Sequence, residues 1–297
     1  MKRIKYIFKQ CLPPFLYKLC RRFSKTTKKN EELTPLPVCK NASDKLVIIG
    51  NGPSLNTTML KYKDVITESN CLMVNEAALT DLYDMIKPVI YMLVDPKFYE
   101  EKGYELYKDT LSSLVEEIVT ETKWDMTIVM PCRAKKSYAV ERFKENSNLN
   151  VVFYEDGLEL PENVSLMDAW DKNLISPPAQ TVLNTAVWLS IYWGYKSTYI
   201  VGADTSWHTQ LQMDQYTNEL YTEDNHFFDN KKIYNKEFDS ECNRRVLKLK
   251  LHEELFAEAN ALKSYWELRK YADWKGVRIY NASEYSWIDA FERKKIE

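Results

Sequence analysis

Glycine is scarce in this chain. Seven glycines and 11 prolines in 297 residues exclude collagen-like and low-complexity architectures. No run of 18 apolar residues occurs, so nothing reads as a membrane-spanning helix. The six cysteines (Cys11, Cys20, Cys39, Cys71, Cys132 and Cys242) are scattered without a C-x-x-C pair. That argues against a disulfide framework or a zinc site and fits a reducing cytoplasm. Only three histidines are present. Asp-x-Asp, G-x-S-x-G, H-E-x-x-H and both glycine-rich nucleotide fingerprints are missing, so those chemistries have no candidate residues.

What is present is 45% hydrophobic content, enough for a sizeable core, with an unusually high 13% of aromatics. The formal charge of −2 hides an asymmetry. Residues 1–30 hold ten Lys and Arg and no acid, which leaves the body strongly acidic. An acidic body lacks the basic footprint of a nucleic-acid binder. Residues 1–23 space Ile4, Ile7, Phe8, Leu12, Phe15, Leu16 and Leu19 near helical intervals, with Pro13-Pro14 as a break. A basic amphipathic stretch of this kind suits an anionic membrane surface. A solvated leader, or a helix packed on another subunit, satisfies the same pattern. No signal-peptide pattern is visible. Residues 31–44 read as a linker, and residues 45–297 as the working domain.

The body alternates strand and helix patterns. Lys45–Gly50, Cys71–Asn75 and Val89–Val94 are strand candidates, with weaker ones at Thr127–Met130 and Val151–Tyr154. Thr181–Tyr195 reads as a helix, Ser197–Val201 as a strand, Val246–Lys275 as a long helix and Val277–Tyr280 as a last strand. The alternation predicts an α/β fold: a mostly parallel, Rossmann-like sheet with helices on both faces. Residues 205–245 are polar, aromatic and weakly periodic, which predicts a lid or binding loop.

In such a sheet, ligands bind at the carboxyl ends of the strands. Those ends carry Gly50-Asn51-Gly52-Pro53-Ser54, Asn75, Asp95 and Gly202-Ala203-Asp204. Gly50 and Gly52 would let backbone amides approach a phosphate, and Ser54 would bind it or cap the next helix. A plain strand-to-helix turn accounts for the same residues. If the turn binds a nucleotide, Gly52→Val should weaken that binding with the fold intact.

Gly-Asn-Gly-Pro-Ser-Leu after a strand, a strand ending in Asn and a strand ending in Asp-Pro resemble the bacterial sialyltransferases of glycosyltransferase family 42. They also resemble the related motility-associated glycosylation factors and hydroxymethylpterin pyrophosphokinases. Gln180-Thr181, a helix ending in Gly194-Tyr195, Gly202-Ala203-Asp204 and Asp224-Asn225-His226-Phe227 keep the family's order. The resemblance covers roughly residues 45–290. It implies an inverting transfer of a sialic-acid-like (nonulosonic acid) sugar from a cytidine monophosphate (CMP) donor to a surface glycan or glycolipid. No cofactor or metal is expected, since cytidylate is a good leaving group. Under this resemblance, Gly50, Asn51, Gly52, Ser54, Asn75, Thr181 and Asp204 contact the nucleotide, and Asp95 and Gln180 the donor sugar. Asp95 replaces the family's usual Asn.

The same resemblance makes His226 the general base, with His208 a second candidate, and places Tyr216 and Tyr221 on the leaving phosphate. His252 falls in a charged helix and reads as a surface residue. Localisation at the inner face of a bacterial membrane, and a homo-oligomer, are the accompanying expectations. The alternatives are an ATP- and Mg²⁺-dependent pyrophosphokinase, with Asp95 and Asp204 as the metal pair, and a non-catalytic scaffold.

Overall fold

A computed structural model describes residues 36, 44–100, 108–157, 159–177, 181–222, 238–239, 244–246 and 250–297. The basic segment 1–30, most of the linker 31–44, Gln180 and His226 lie outside the described residues. All described residues belong to one unit, Leu36–Glu297.

The chain runs β1 (Lys45–Ile49), α1 (Ser54–Thr67), β2 (Cys71–Val74), α2 (Leu82–Ile86), β3 (Ile90–Met92), α3 (Lys108–Glu121), β4 (Met126–Pro131), α4 (Tyr138–Phe143) and β5 (Leu149–Tyr154). It continues through α5 (Leu166–Asp171), α6 (Val182–Tyr192) and β6 (Ser197–Val201). Four short strands follow: β7 (Leu211–Met213), β8 (Leu220–Thr222), β9 (Phe238–Asp239) and β10 (Arg244–Val246). The chain closes with α7 (Leu251–Lys275), β11 (Arg278–Asn281) and β12 (Glu292–Arg293). Among the described residues, the main sheet has eight strands in the order β12-β11-β6-β1-β2-β3-β4-β5, all paired in parallel. This is the predicted α/β architecture.

The KLVII run of β1 explains its central place. Leu46 and Ile48 enter the core on one face of the sheet, and Val47 and Ile49 the core on the other. A strand covered on both faces needs a continuous apolar run rather than an alternating one. Helix α6 is covered all round: its residues 183–191 are all buried, the polar Asn184, Thr185 and Ser190 among them. Aromatics fill much of this interior. Trp188 meets Tyr154 edge-on at 5.9 Å, and Trp170 meets Tyr271 at 5.7 Å.

The chain lays β1 to β5 outward on one side, then returns to set β6 against the other side of β1. The carboxyl ends of β1 and β6 therefore flank the point where the strand order reverses.

The structure departs from the sequence reading in several places. Thr181 is the N-cap of α6, its hydroxyl accepting from the Leu183 N–H at 3.0 Å. Val246 belongs to β10, so the last helix begins at Leu251. Strand β12 was not anticipated, because two residues carry no periodicity. The described parts of 205–245 are a 3-10 turn, Trp207–Gln210, and a small antiparallel sheet ordered β7-β8-β10-β9. Its first hairpin turns on Asp214, whose carboxylate accepts from the N–H groups of Tyr216 and Thr217 at 2.9 and 3.0 Å.

Candidate functional site

The Gly50–Ser54 turn does not stand free at the end of β1. The Gly50 N–H donates to Val201 O, and the Gly52 N–H to Gly202 O, both at 2.8 Å. A Cβ on Gly52 would lie 2.2 Å from Asp204 Oδ1, and one on Gly50 would lie 2.5 Å from Gly202 O. The closeness expected at these glycines is real, but what approaches them is the loop after β6. Their amides are engaged by the last residue of β6 and the first residue of that loop. Ser54 follows suit, its N–H reaching Asp204 Oδ2 at 3.1 Å and its hydroxyl Asp204 Oδ1 at 2.6 Å.

Burial raises the Asp204 carboxyl above its ordinary range, and the two Ser54 donors partly offset that rise. An unfolded Asp releases its proton near pH 4, whereas folded Asp204 retains it to higher pH. The folded state thus binds more protons in that window, and stability falls as pH rises through it. Asp204→Asn should flatten the fall in urea midpoint from pH 4 upward. The same slope in wild type and variant would show that Asp204 titrates ordinarily.

Three residues at this end of the sheet have left-handed backbone: Asn75 (φ 54°), Gly202 (φ 61°) and the β-branched Thr205 (φ 49°). For Thr205 this conformation is strained, and such strain persists where surrounding contacts enforce it. Asn75 is held by Tyr91, whose hydroxyl accepts from the Ala78 N–H at 2.8 Å and donates to the Asn75 carbonyl.

Beside this turn lies a cleft of about 490 Å³. Asn75 from the end of β2, Asp95 after β3, Arg133 after β4, Tyr154 at the end of β5, Asp156 just beyond it, and Thr181 at the start of α6 line it, with Tyr99 and Trp207. Asn75 and Asp95, named from the carboxyl-end rule, and Thr181, named from the resemblance, thus line one cavity. Asn51 is not part of the lining; its Nδ2 donates to the carbonyl of Val74, the residue before Asn75, at 3.3 Å. The side-chain oxygens of Asn51 and Asn75 are both buried and have no hydrogen-bond partner among the described residues. Buried acceptors left this way are costly, and a donor from elsewhere would satisfy them. The N-terminus of α6 adds partial positive charge at the cleft wall.

The remaining candidates lie apart from the cleft lining. Gly50, Gly52, Ser54 and Asp204 are not part of the lining and pack where the turn after β1 meets the loop after β6. Asp95 accepts from the Lys97 N–H at 2.9 Å. Asp95 and Asp204, the metal pair of the alternative reading, therefore do not line the cavity together. Among the described residues, no group of three His, Cys, Asp or Glu converges to hold a metal ion. Tyr216 is 98% exposed at the β7–β8 turn. The Tyr221 hydroxyl donates to Gln212 Oε1 at 2.8 Å. His208 turns toward α7, its Nδ1 lying 3.4 Å from Glu258 Oε2 and its ring meeting Trp287 edge-on at 4.4 Å.

Sequence reasoning missed Tyr99, Arg133, Tyr154, Asp156 and Trp207. They sit on four different loops or strand ends, and no motif joins them. Only their positions just after predicted strands could have flagged Arg133 and Asp156.

No family model and no curated protein sequence matches this chain. Among solved structures, it is similar to the MAf glycosyltransferase from Magnetospirillum magneticum AMB-1, at a TM-score of 0.44 and 13% sequence identity. That similarity covers 84% of this chain and 33% of the other, so the chain spans about a third of that protein's length.

Proposed function

We propose that the protein is a glycosyltransferase. It moves a nonulosonic acid sugar from a CMP donor to a hydroxyl of a surface glycan or glycolipid. The observation that carries this reading is the pair of buried oxygens on Asn51 and on the cleft residue Asn75, neither with a hydrogen-bond partner among the described residues. Ribose hydroxyls and the cytosine amino group are donors of the kind those oxygens lack. The cleft volume is within the usual range for small-molecule sites. The donor sugar would then lie toward Asp95 and Thr181, with the α6 N-terminus favouring its anionic groups.

In this reading His226 removes the acceptor proton, and hydroxyls from tyrosines such as Tyr216 or Tyr221 stabilise the departing phosphate. Both tyrosines would have to reach the cleft when substrate is bound. Residues 1–30 would hold the enzyme at an anionic membrane surface, near lipid-linked acceptors. Among the described residues, no helix is long and apolar enough to cross a membrane.

The test is calorimetric titration with CMP, CDP, ATP and GDP, with and without Mg²⁺. CMP should bind without metal. Asn51→Ala and Asn75→Gly, the latter keeping the left-handed backbone without strain, should each weaken CMP about tenfold. That corresponds to the loss of one hydrogen bond of roughly 1 kcal/mol or slightly more. Binding of ATP alone, and only with Mg²⁺, would sink the proposal in favour of the pyrophosphokinase. Silence toward all four nucleotides would favour a scaffold.

A further inference from the structure

We infer that Arg133 is the oxyanion anchor of the cleft: the residue that grips the negatively charged group of the substrate and selects for it. The inference rests on the glycosyl-transfer reading of the same cavity and assigns a role to a residue that reading leaves idle.

Arg133 follows β4 and lines the cleft. Its Nε–H donates to Asp156, the residue two beyond the end of β5. Its guanidinium carbon lies 5.9 Å from the centre of the Tyr99 ring. One edge of the fork and one face of the plane are therefore occupied. Nη1 has Glu100 at 3.9 Å, outside hydrogen-bond range, and Nη2 has no partner among the described residues. The outer Nη1–Nη2 edge is thus held ready without being filled. This is the edge with which arginine recognises a carboxylate or phosphate through two parallel bonds.

Asp156 is the less exposed member of the pair, its side chain 17% accessible against 53% for Arg133. It fixes the guanidinium from below while the arginine remains open to solvent. Burial pushes the Tyr99 phenol up to about 12, with Arg133 opposing that rise, so the ring beneath the guanidinium stays neutral. A neutral, electron-rich ring supports the cation without competing for the incoming anion.

Position argues for the sugar end of the donor. Order in the sheet is β1-β2-β3-β4, so Arg133 lies three strands from the Asn51 turn. At about 4.8 Å per strand, that is roughly 14 Å. A nucleoside held by Asn51 and Asn75 leaves Arg133 for a carboxylate on the transferred sugar or for a phosphoryl oxygen beyond it.

The full chain, Arg133→Gln and Arg133→Lys are titrated separately with N-acetylneuraminate and with inorganic phosphate, after equal thermal midpoints confirm that all three are folded. Wild type should bind at least one probe saturably. Arg133→Gln should weaken it about ten- to a hundredfold, the value of a charge-assisted bidentate pair. Arg133→Lys, which keeps the charge and loses the fork, should fall between. A loss confined to N-acetylneuraminate makes the sugar carboxylate the ligand, and a loss confined to phosphate makes it a phosphoryl group. Equal affinities of wild type and Arg133→Gln for both probes, or no saturable binding of either to wild type, overturns the inference. CMP titrated into the same wild-type sample tests the nucleotide reading separately, because neither probe contains a nucleoside.

Discussion

Gly52→Val is expected to unfold the protein well below the wild-type urea midpoint, rather than merely to weaken a ligand. A Cβ here meets Asp204 Oδ1 at 2.2 Å and Gly202 O at 2.8 Å. The backbone partner cannot swing away, because Gly202 O also accepts the Gly52 N–H. Overpacking of this kind costs about 1–3 kcal/mol. Displacing Asp204 also breaks two buried hydrogen bonds from Ser54, and those to a charged acceptor are worth about 1.5–3 kcal/mol each. The sum is a large part of the roughly 5–15 kcal/mol that holds a domain folded. Denaturation followed by circular dichroism measures it. An unchanged midpoint, with only nucleotide affinity lost, would restore the glycine to the ligand-binding role that its motif suggests.

His226→Ala should lower turnover by about 10²–10⁴-fold, the usual value of general-base assistance, while CMP binding persists. The nucleotide contacts proposed for Asn51 and Asn75 lie on other loops, which separates binding from catalysis. His208→Ala should cost far less. Its imidazole is engaged by Glu258 and Trp287, and the cleft is lined instead by its neighbour Trp207. Steady-state rates at saturating donor decide between the two. If His208→Ala abolishes turnover and His226→Ala does not, the base has been assigned to the wrong histidine. If both variants retain full rate, neither histidine is the base, and the mechanism falls with it.

The contrast between these residues shows what one sequence discloses. Strand β1 is legible because burial on both faces demands the unbroken KLVII run. Asn75 and Asp95 are legible because a parallel sheet collects its chemistry at the carboxyl ends of its strands. Ser54 and Asp204 also belong together, but 150 residues separate them, and nothing local announces the pairing. Arg133, Asp156 and Tyr99 were hidden for a related reason. Their meeting depends on β3, β4 and β5 lying side by side, and each residue alone is an ordinary loop residue. Strands β7 to β10, of two or three residues each, are too short to display the alternation by which a strand is recognised.

The pairing of β1 with β6 also bears on how the protein is made. Their ladder runs from Lys45↔Ser197 to Ile49↔Val201, among the longest sequence separations in the sheet. A ribosome delivers β1 to β5 first, and for that interval one side of β1 has no neighbour. Its open N–H and C=O groups form an edge on which another chain could assemble. Such non-local pairing is slow, so the exposed interval is prolonged. A chain ending before Ser197 would keep that edge permanently, and with it neither the support under the Gly-Asn-Gly turn nor a closed cleft. Completion of the strand order, more than formation of any single element, is the event that both silences the aggregation-prone edge and creates the site.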